Sequence, residues 1–346
     1  MPKIPKPFAS NIDYNLILKN NQFYHLFFVK SFLIDYFCTR FQYNYSILEK
    51  NQTFSVKSVF RDFKEITKAG LAVSVLFSSI AGYLLGFDDQ HPFSWMTLLM
   101  LSVGGYCMVG ASNAFNQVIE KDLDSLMDRT KNRPVPSKRM TPNMALFVAS
   151  LLTIVGLVLL YLINPKTAMF GAISIFLYTS VYTPLKTITP LSVFVGAFPG
   201  AIPFMLGWVA ATDHFGIEAG TLFLIQFFWQ FPHFWAIGWF LYEDYEKAGF
   251  FMLPTGKKDS KTAIQIILYT CWLIIATLLP SFGYTGRLHI SVISAVLVFV
   301  LGLWMLFYAV KLYQSRTPKA ARTLMLVSVS YITLLQIIYI TDKFLR

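Results

Sequence analysis

The chain contains nine apolar stretches, each close to the length that crosses a lipid bilayer. A membrane-spanning helix needs about 20 mostly apolar residues, and in lipid only helices and closed barrels satisfy all their backbone groups. We therefore predict an all-α polytopic membrane protein with nine transmembrane helices. The stretches are Leu71–Gly86, Trp95–Ala114, Met144–Ile163, Ala168–Tyr182, Leu191–Ala211, Ala219–Leu241, Ala263–Phe282, Ile290–Val310 and Thr323–Thr341.

The composition excludes two other classes of chain. Of the 346 residues, 55% are hydrophobic and 14% are charged. A soluble domain carries about 25% charged residues, and a disordered chain has too few large apolar residues to match this one. The cysteines, Cys38, Cys107 and Cys271, form no CxxC pair, so neither a disulfide framework nor a thiolate metal site is expected.

The lysines and arginines predict the orientation. Of the 29 lysines and arginines, 19 lie in every second connection between the apolar stretches, starting with the segment before the first stretch. Only 4 lie in the other connections. By the positive-inside rule the first set faces the cytoplasm, which favours a cell (inner) membrane as the location. This topology accounts for the net charge of +11, so no nucleic-acid partner is expected. Residues 1–58 contain no spanning stretch, and we treat them as an N-terminal extension of unknown role before a membrane domain at 59–346.

Residues 113–134, the first acidic segment, continue from the second stretch. Asn116, Glu120 and Asp124 are spaced i, i+4, i+8, which aligns them on one face of a helix. Such oxygen ligands suit Mg²⁺, which takes one or two carboxylates and completes its shell with water and substrate phosphates.

Three cations follow directly in the same segment: Arg129, Lys131 and Arg133. Arginine is suited to bidentate phosphate contacts, so the segment has the groups that a metal–diphosphate complex needs. The alternative is a solvated charge run that only sets orientation. Against it, the polar residues begin on the apolar helix itself, where charge is costly.

Residues 242–254, the second acidic segment, follow the sixth stretch and contain Asp244. Because the two segments are four stretches apart, the chain resembles a quasi-repeat with one carboxylate site in each half. Two such sites around one cavity could hold two Mg²⁺ ions against a diphosphate. Lys186, on the same predicted face, is a weaker signal because one lysine per cytoplasmic loop is ordinary.

The sixth stretch carries a polar stripe. Gln226, Gln230 and His233 are spaced i, i+4, i+7, with Trp229 beside them. Polar residues inside a membrane helix usually face the bundle interior and are candidates for function. The alternative is that His233 is a hydrogen-bonded buried imidazole next to Pro232.

Over residues 59–341 these motifs resemble the UbiA superfamily of intramembrane prenyltransferases, and within it the branch that farnesylates haem. The superfamily resemblance lies in Asn116-xxx-Glu120-xxx-Asp124, in Tyr182-xxx-Lys186 and in the second acidic segment. The branch resemblance lies in the Arg129–Pro134 ending and in Trp229-Gln-Phe-Pro-His233-Phe. There are departures: Glu120 stands where the superfamily usually has Asp, and Lys68-Ala-Gly stands where it usually has Lys-Pro-Arg.

The resemblance implies transfer of a farnesyl group from farnesyl diphosphate to a vinyl group of haem B, with Mg²⁺ as cofactor and the lipid bilayer as surroundings. It also allows for an association with a haem A synthase. By position it implies metal ligands, diphosphate-binding cations and haem-side candidates, with Asp124, Asp244 and Lys186 central to catalysis. The implied metal ligands are Asn116, Glu120, Asp122, Asp124 and Asp244. The implied diphosphate-binding cations are Arg129, Lys131, Arg133 and Lys186. The implied haem-side candidates are His233, Gln230 and Trp229.

Two other functions remain open at this point. A prenyltransferase acting on a quinone precursor would share both acidic segments. A membrane transporter or haem-handling protein without chemistry would also be polytopic, although transporters usually place their charges near the midplane at broken helices.

Overall fold

The part of the chain that the structure describes is built from helices. The computed structural model describes residues 56–346, and within this part there is no β-strand. The predicted extension, residues 1–58, lies almost entirely outside the described residues, so its role and its boundary stay predictions.

The described helices follow one another along the chain. In chain order they are α1 (Val56–Ile66), α2 (Ala69–Gly86), α3 (Trp95–Ile119), α4 (Lys121–Asp124), α5 (Pro142–Ile163), α6 (Pro165–Phe176), α7 (Thr183–Leu185), α8 (Leu191–Thr212), α9 (Ile217–Phe240), α10 (Tyr242–Lys247), α11 (Ser260–Leu278), α12 (Val292–Ser315) and α13 (Pro318–Leu345). A π-helical segment, Leu177–Tyr182, joins α6 to α7, and a 3-10 turn, Leu279–Phe282, follows α11.

Many long helices begin at a side chain that caps the free backbone N–H groups of the first turn. At each of these positions a side-chain oxygen accepts a hydrogen bond from the N–H three residues later, as expected of N-caps. The caps are Ser94, Thr141, Asn164, Asp259, Ser291 and Thr317.

Eight spans in the described part are long and apolar enough to cross a membrane, which confirms the predicted all-α polytopic fold. One of them is continuous from Pro165 to Leu185 through the π-helical segment. The remaining predicted span corresponds to α9, a helix of 24 residues. It is not among the eight, because the polar side chains of Gln226, Gln230 and His233 lower its hydropathy. The count of nine spans is therefore not confirmed.

Glycines bring α2 and α8 into backbone contact. A Cβ atom on Gly82 would lie 2.0 Å from the carbonyl oxygen of Phe204, and one on Gly207 would lie 1.9 Å from that of Ser79. Small residues permit this approach in membrane bundles. Gly82 belongs to the Gly82/Gly86 pair whose spacing is typical of such packing.

Prolines lie inside α8 and α9, and their missing N–H groups leave carbonyls free. Pro203 cannot donate to the carbonyl of Pro199, and that oxygen instead accepts a hydrogen bond from the Ser174 hydroxyl at 3.3 Å. Such substitute donors make a helical proline tolerable in lipid.

Candidate active site

A cavity of about 620 Å³ is enclosed by α2, α3, α6, α8, α9 and α13 together with both acidic segments. Its volume lies within the range of small-molecule sites. Its lining combines charged side chains from the helix ends with apolar and aromatic side chains from the spans. The polar part includes Lys68, Asn116, Glu120, Asp124, Arg129, Arg133 and Lys186.

The first acidic segment has nearly the helical geometry that its spacing predicts. α3 ends at Ile119, Glu120 leaves helical geometry with φ −95° and ψ 11°, and α4 resumes for one turn. The Asp124 N–H still donates to the Glu120 carbonyl at 2.7 Å, so the helical path continues. Asn116, Glu120 and Asp124 are all buried and all line the cavity.

Both buried carboxylates are paired with cations that also line the cavity. Lys186 Nζ lies 2.8 Å from Glu120 Oε1, and Arg133 Nη1 lies 2.7 Å from Asp124 Oδ2. Burial lowers the pKa of Lys186, but the negative charge of Glu120 outweighs it, so the net shift is upward and the ammonium form persists. Each pair offsets part of the cost of burying its two charges inside the bundle, where an unpaired ion would be strongly destabilising.

One oxygen in this group lacks a partner. Asp124 Oδ1 is buried and has no hydrogen-bond partner among the described residues. A buried carboxylate oxygen without a partner, on a residue that lines the cavity, is suited to ligate a cation. The described residues contain no group of three His, Cys, Asp or Glu side chains arranged for a metal. Two carboxylates with the Asn116 amide fit Mg²⁺, which takes its remaining ligands from water and phosphate.

Asp244 connects the second acidic segment to the first. Its two carboxylate oxygens accept the backbone N–H groups of Asp128 at 2.8 Å and Arg129 at 3.2 Å. Lys247 adds ion pairs to Asp128 at 2.5 Å and to Asp244 at 3.6 Å. The hydrogen bonds of Lys131 and Lys247 lower the pKa of Asp128 to about 2, so this carboxylate is ionised at physiological pH.

This arrangement differs from the symmetrical geometry that the two acidic segments predict. Asp244 is not part of the cavity lining, whereas its neighbour Tyr245 is. The two segments do meet, but here the Asp244 carboxylate holds the 128–129 backbone. Its role as a metal ligand stays a prediction.

The other cations and acids of the first acidic segment divide into two groups. Arg129 lines the cavity, with its guanidinium 5.7 Å from the centre of the Tyr245 ring. Asp122 and Lys131 are exposed and do not line it, and Lys131 instead pairs with Asp128 at 2.7 Å. The helical spacing of Asn116, Glu120 and Asp124 leaves Asp122 off their shared face. It could not separate Arg129 from Lys131, because both lie beyond the end of α4.

Aromatic rings surround Lys186 at the polar end of the cavity. Its ammonium lies 4.5 Å from the centre of the Tyr182 ring and 5.7 Å from that of Phe250. The π-helical segment places Tyr178 beside Tyr182, with ring centres 5.3 Å apart, and both rings line the cavity. No sequence pattern singled out Tyr178, because π-helical turns leave no clear sequence signal.

The polar stripe of α9 also lines the cavity. His233 stacks on Trp229 with ring centres 4.5 Å apart, and its Nδ1 lies 2.8 Å from the Ser328 hydroxyl. Gln230 donates to the Ala197 carbonyl at 2.8 Å, whereas Gln226 Oε1 is buried without a partner among the described residues. Trp229, Gln230 and His233 are therefore held in fixed positions along the wall.

Lys68 is a site residue that the sequence motifs alone did not assign. It connects α1 to α2 in a left-handed conformation, with φ 47°, and it lines the cavity. Burial, together with the charges of Arg133 and Lys186, lowers its pKa to about 7. The available signal was its place at the first position of the family's Lys-Pro-Arg pattern.

Comparison with known proteins gives a consistent result. The model of the UbiA prenyltransferase family matches residues 75–333. A protoheme IX farnesyltransferase of Flavobacterium johnsoniae is 80% identical over 294 residues, which cover 85% of this chain and 98% of that protein.

Solved structures share the fold at low sequence identity. A digeranylgeranylglyceryl phosphate synthase superposes with a TM-score of 0.66 at 17% identity, covering 82% of this chain and 98% of that one. A UbiA homologue from Archaeoglobus fulgidus, described as bound to GPP and Mg²⁺, superposes with a TM-score of 0.60 at 13% identity, covering 81% and 99%.

Proposed function

The chain belongs to the UbiA prenyltransferase family, and we propose that it transfers the farnesyl group of farnesyl diphosphate to a vinyl group of haem B. The products are haem O and diphosphate. One observation carries the proposal: a single cavity has buried carboxylates and cations at one end and an apolar, aromatic wall beyond them. This division matches a substrate with a charged head and a hydrocarbon tail.

The polar end provides the groups that a diphosphate needs. Asn116, Glu120 and Asp124 would hold Mg²⁺, which when bound supplies positive charge next to the leaving group. Lys186, Arg129 and Arg133 bind the diphosphate oxygens as the C1–O bond breaks. Preorganised charge at the point where negative charge develops is usually the largest catalytic contribution.

The apolar part of the cavity protects the allylic cation that forms at C1. Aromatic faces near the polar end, including Tyr178 and Tyr182, stabilise positive charge electrostatically. An apolar lining that excludes water also suppresses hydrolysis to farnesol. The haem vinyl group then attacks C1, water adds to the carbon next to the porphyrin ring, and one proton is released. The mechanism requires no covalent enzyme nucleophile.

The haem side of the cavity is assigned to α9. Trp229, Gln230 and His233 are fixed by hydrogen bonds and stacking, and they form a rigid wall that can hold a flat acceptor. We propose that the polar end faces the cytoplasm of a bacterial inner membrane, as the distribution of lysine and arginine indicates. An association with a haem A synthase stays a prediction.

The function is tested with purified protein in nanodiscs, haem B, farnesyl diphosphate and Mg²⁺. The expected product is haem whose mass has increased by one farnesyl group and one hydroxyl. A parallel incubation with a 4-hydroxybenzoate acceptor tests the quinone-precursor alternative. Prenylation of that acceptor and not of haem would refute the proposal.

A further inference from the structure

A second pocket, the outer basic pocket, adjoins the cavity on the side of the first acidic segment. It is open to solvent and is rich in arginine. Its main lining residues are Arg61, Glu65, Arg129, Asn132, Arg133 and Arg139.

Arg129 and Arg133 line both the cavity and the outer basic pocket. Both residues therefore belong to the boundary between the two spaces. Arg61 and Arg139 line only the outer basic pocket. An anion that leaves the polar end of the cavity across this boundary would pass from Arg129 and Arg133 to these two arginines.

The charges in the outer basic pocket are only partly neutralised within the described residues. Arg139 pairs with Asp62 and Glu65, and it donates to the Asn132 carbonyl at 2.8 Å. Arg61 reaches the same two carboxylates only at 3.6 Å and 3.9 Å. Arg129 has no ion pair within the part of the chain that the structure describes. Arg133 is paired with Asp124 at 2.7 Å. The four arginines therefore have three carboxylate partners, Asp62, Glu65 and Asp124, and the remaining positive charge favours an anion.

The products of the proposed reaction differ in where they can go. Farnesylated haem can leave through the lipid, but a diphosphate ion cannot cross hydrocarbon and must leave through the polar end. Arginine matches phosphoryl oxygens bidentately, so an arginine-lined space beside the cavity suits this product.

We propose that the outer basic pocket is a separate binding site for a diphosphate anion, where the released product is held on its way to solvent. The inference rests on the proposed function only for the identity of this anion. It assigns Arg61 and Arg139 a role in binding the product, with no contact to the reacting carbon.

The test uses full-length protein in nanodiscs of neutral lipid and measures binding of radiolabelled inorganic diphosphate. The cavity is first filled with farnesyl thiolodiphosphate and Mg²⁺, so only the outer basic pocket stays available. We expect one further equivalent of diphosphate to bind. Arg61→Gln and Arg139→Gln are each expected to weaken this binding about ten- to hundredfold, as for loss of one charge-assisted contact.

Lys64→Gln is the matched control, because Lys64 is an exposed cation on the same helix as Arg61 and outside the pocket. Unchanged binding in this variant is expected. The proposal is overturned if the filled protein binds no diphosphate, or if Arg61→Gln and Lys64→Gln bind it equally.

A further arm distinguishes free diphosphate from a lipid headgroup phosphate. The binding is repeated in nanodiscs that contain anionic phospholipid, where diphosphate is expected to bind still. Complete displacement by the lipid would overturn the proposal in favour of a headgroup site. Because none of these measurements uses haem, a failure of haem farnesylation would refute the proposed function without changing the result for this pocket.

Discussion

Two buried ion pairs, Glu120–Lys186 and Asp124–Arg133, organise the polar end of the cavity. Removing one partner of such a pair leaves an uncompensated buried charge, which typically costs about 3–5 kcal/mol. We expect Lys186→Met to lower the free energy of unfolding by an amount of this order. The measurement is denaturant unfolding of the protein in detergent.

The control is the double variant Glu120→Gln, Lys186→Met, in which neither charge stays unpaired. It is expected to regain much of the lost stability while haem farnesylation stays abolished. Equal instability of the single and double variants would contradict the claim that an unpaired Glu120 charge causes the loss.

Lys68 gives a pH-dependence at the same site. Its pKa of about 7 means that it is largely neutral above pH 7 in the free protein. A bound diphosphate favours the charged form of Lys68, so above pH 7 Lys68 takes up a proton when diphosphate binds. The affinity for farnesyl diphosphate therefore falls as the pH rises. Titrating farnesyl diphosphate from pH 6 to 9 is expected to give a steeper decline for the wild type than for Lys68→Met. Parallel profiles would contradict this role of Lys68.

At the scale of the elements, the backbone contact between α2 and α8 supports the site, because α2 begins directly after Lys68. Gly207→Ala would place a methyl group 1.9 Å from the Ser79 carbonyl oxygen. Because this methyl group forces the helices apart, the variant is expected to lose about 1–3 kcal/mol of unfolding free energy. Gly220→Ala is the control, because no atom lies within 4 Å of its added Cβ. Equal unfolding temperatures for Gly207→Ala and Gly220→Ala would contradict the close contact between α2 and α8.

The elements also show what sequence reasoning could and could not predict. The helical period correctly aligned Asn116, Glu120 and Asp124, because it is a local property of the chain. The contact of Asp244 with the Asp128 and Arg129 N–H groups joins residues more than 100 positions apart. No local pattern encodes such a contact, so the sequence could place the two acidic segments on one face but not say which atoms meet.

At the scale of the whole molecule, the asymmetry of lysine and arginine predicts that the connections near Lys257 and Tyr284 lie on opposite sides of the membrane. Both residues are exposed. In a cysteine-free background, an impermeant maleimide applied to intact spheroplasts is expected to label Tyr284→Cys but not Lys257→Cys. Inverted vesicles are expected to give the reverse. Labelling of both variants from one side would refute the orientation.

If the buried carboxylates at the polar end drive farnesyl transfer to haem, Asp124→Asn and Asp122→Asn differ sharply in the Mg²⁺-dependent farnesylation of haem B. Asp124 is buried in the cavity lining, whereas Asp122 is exposed and outside it. We predict a loss of turnover of at least about 100-fold for Asp124→Asn and near wild-type turnover for Asp122→Asn. Full activity of Asp124→Asn, or equal loss in both variants, would refute this role of the buried carboxylates.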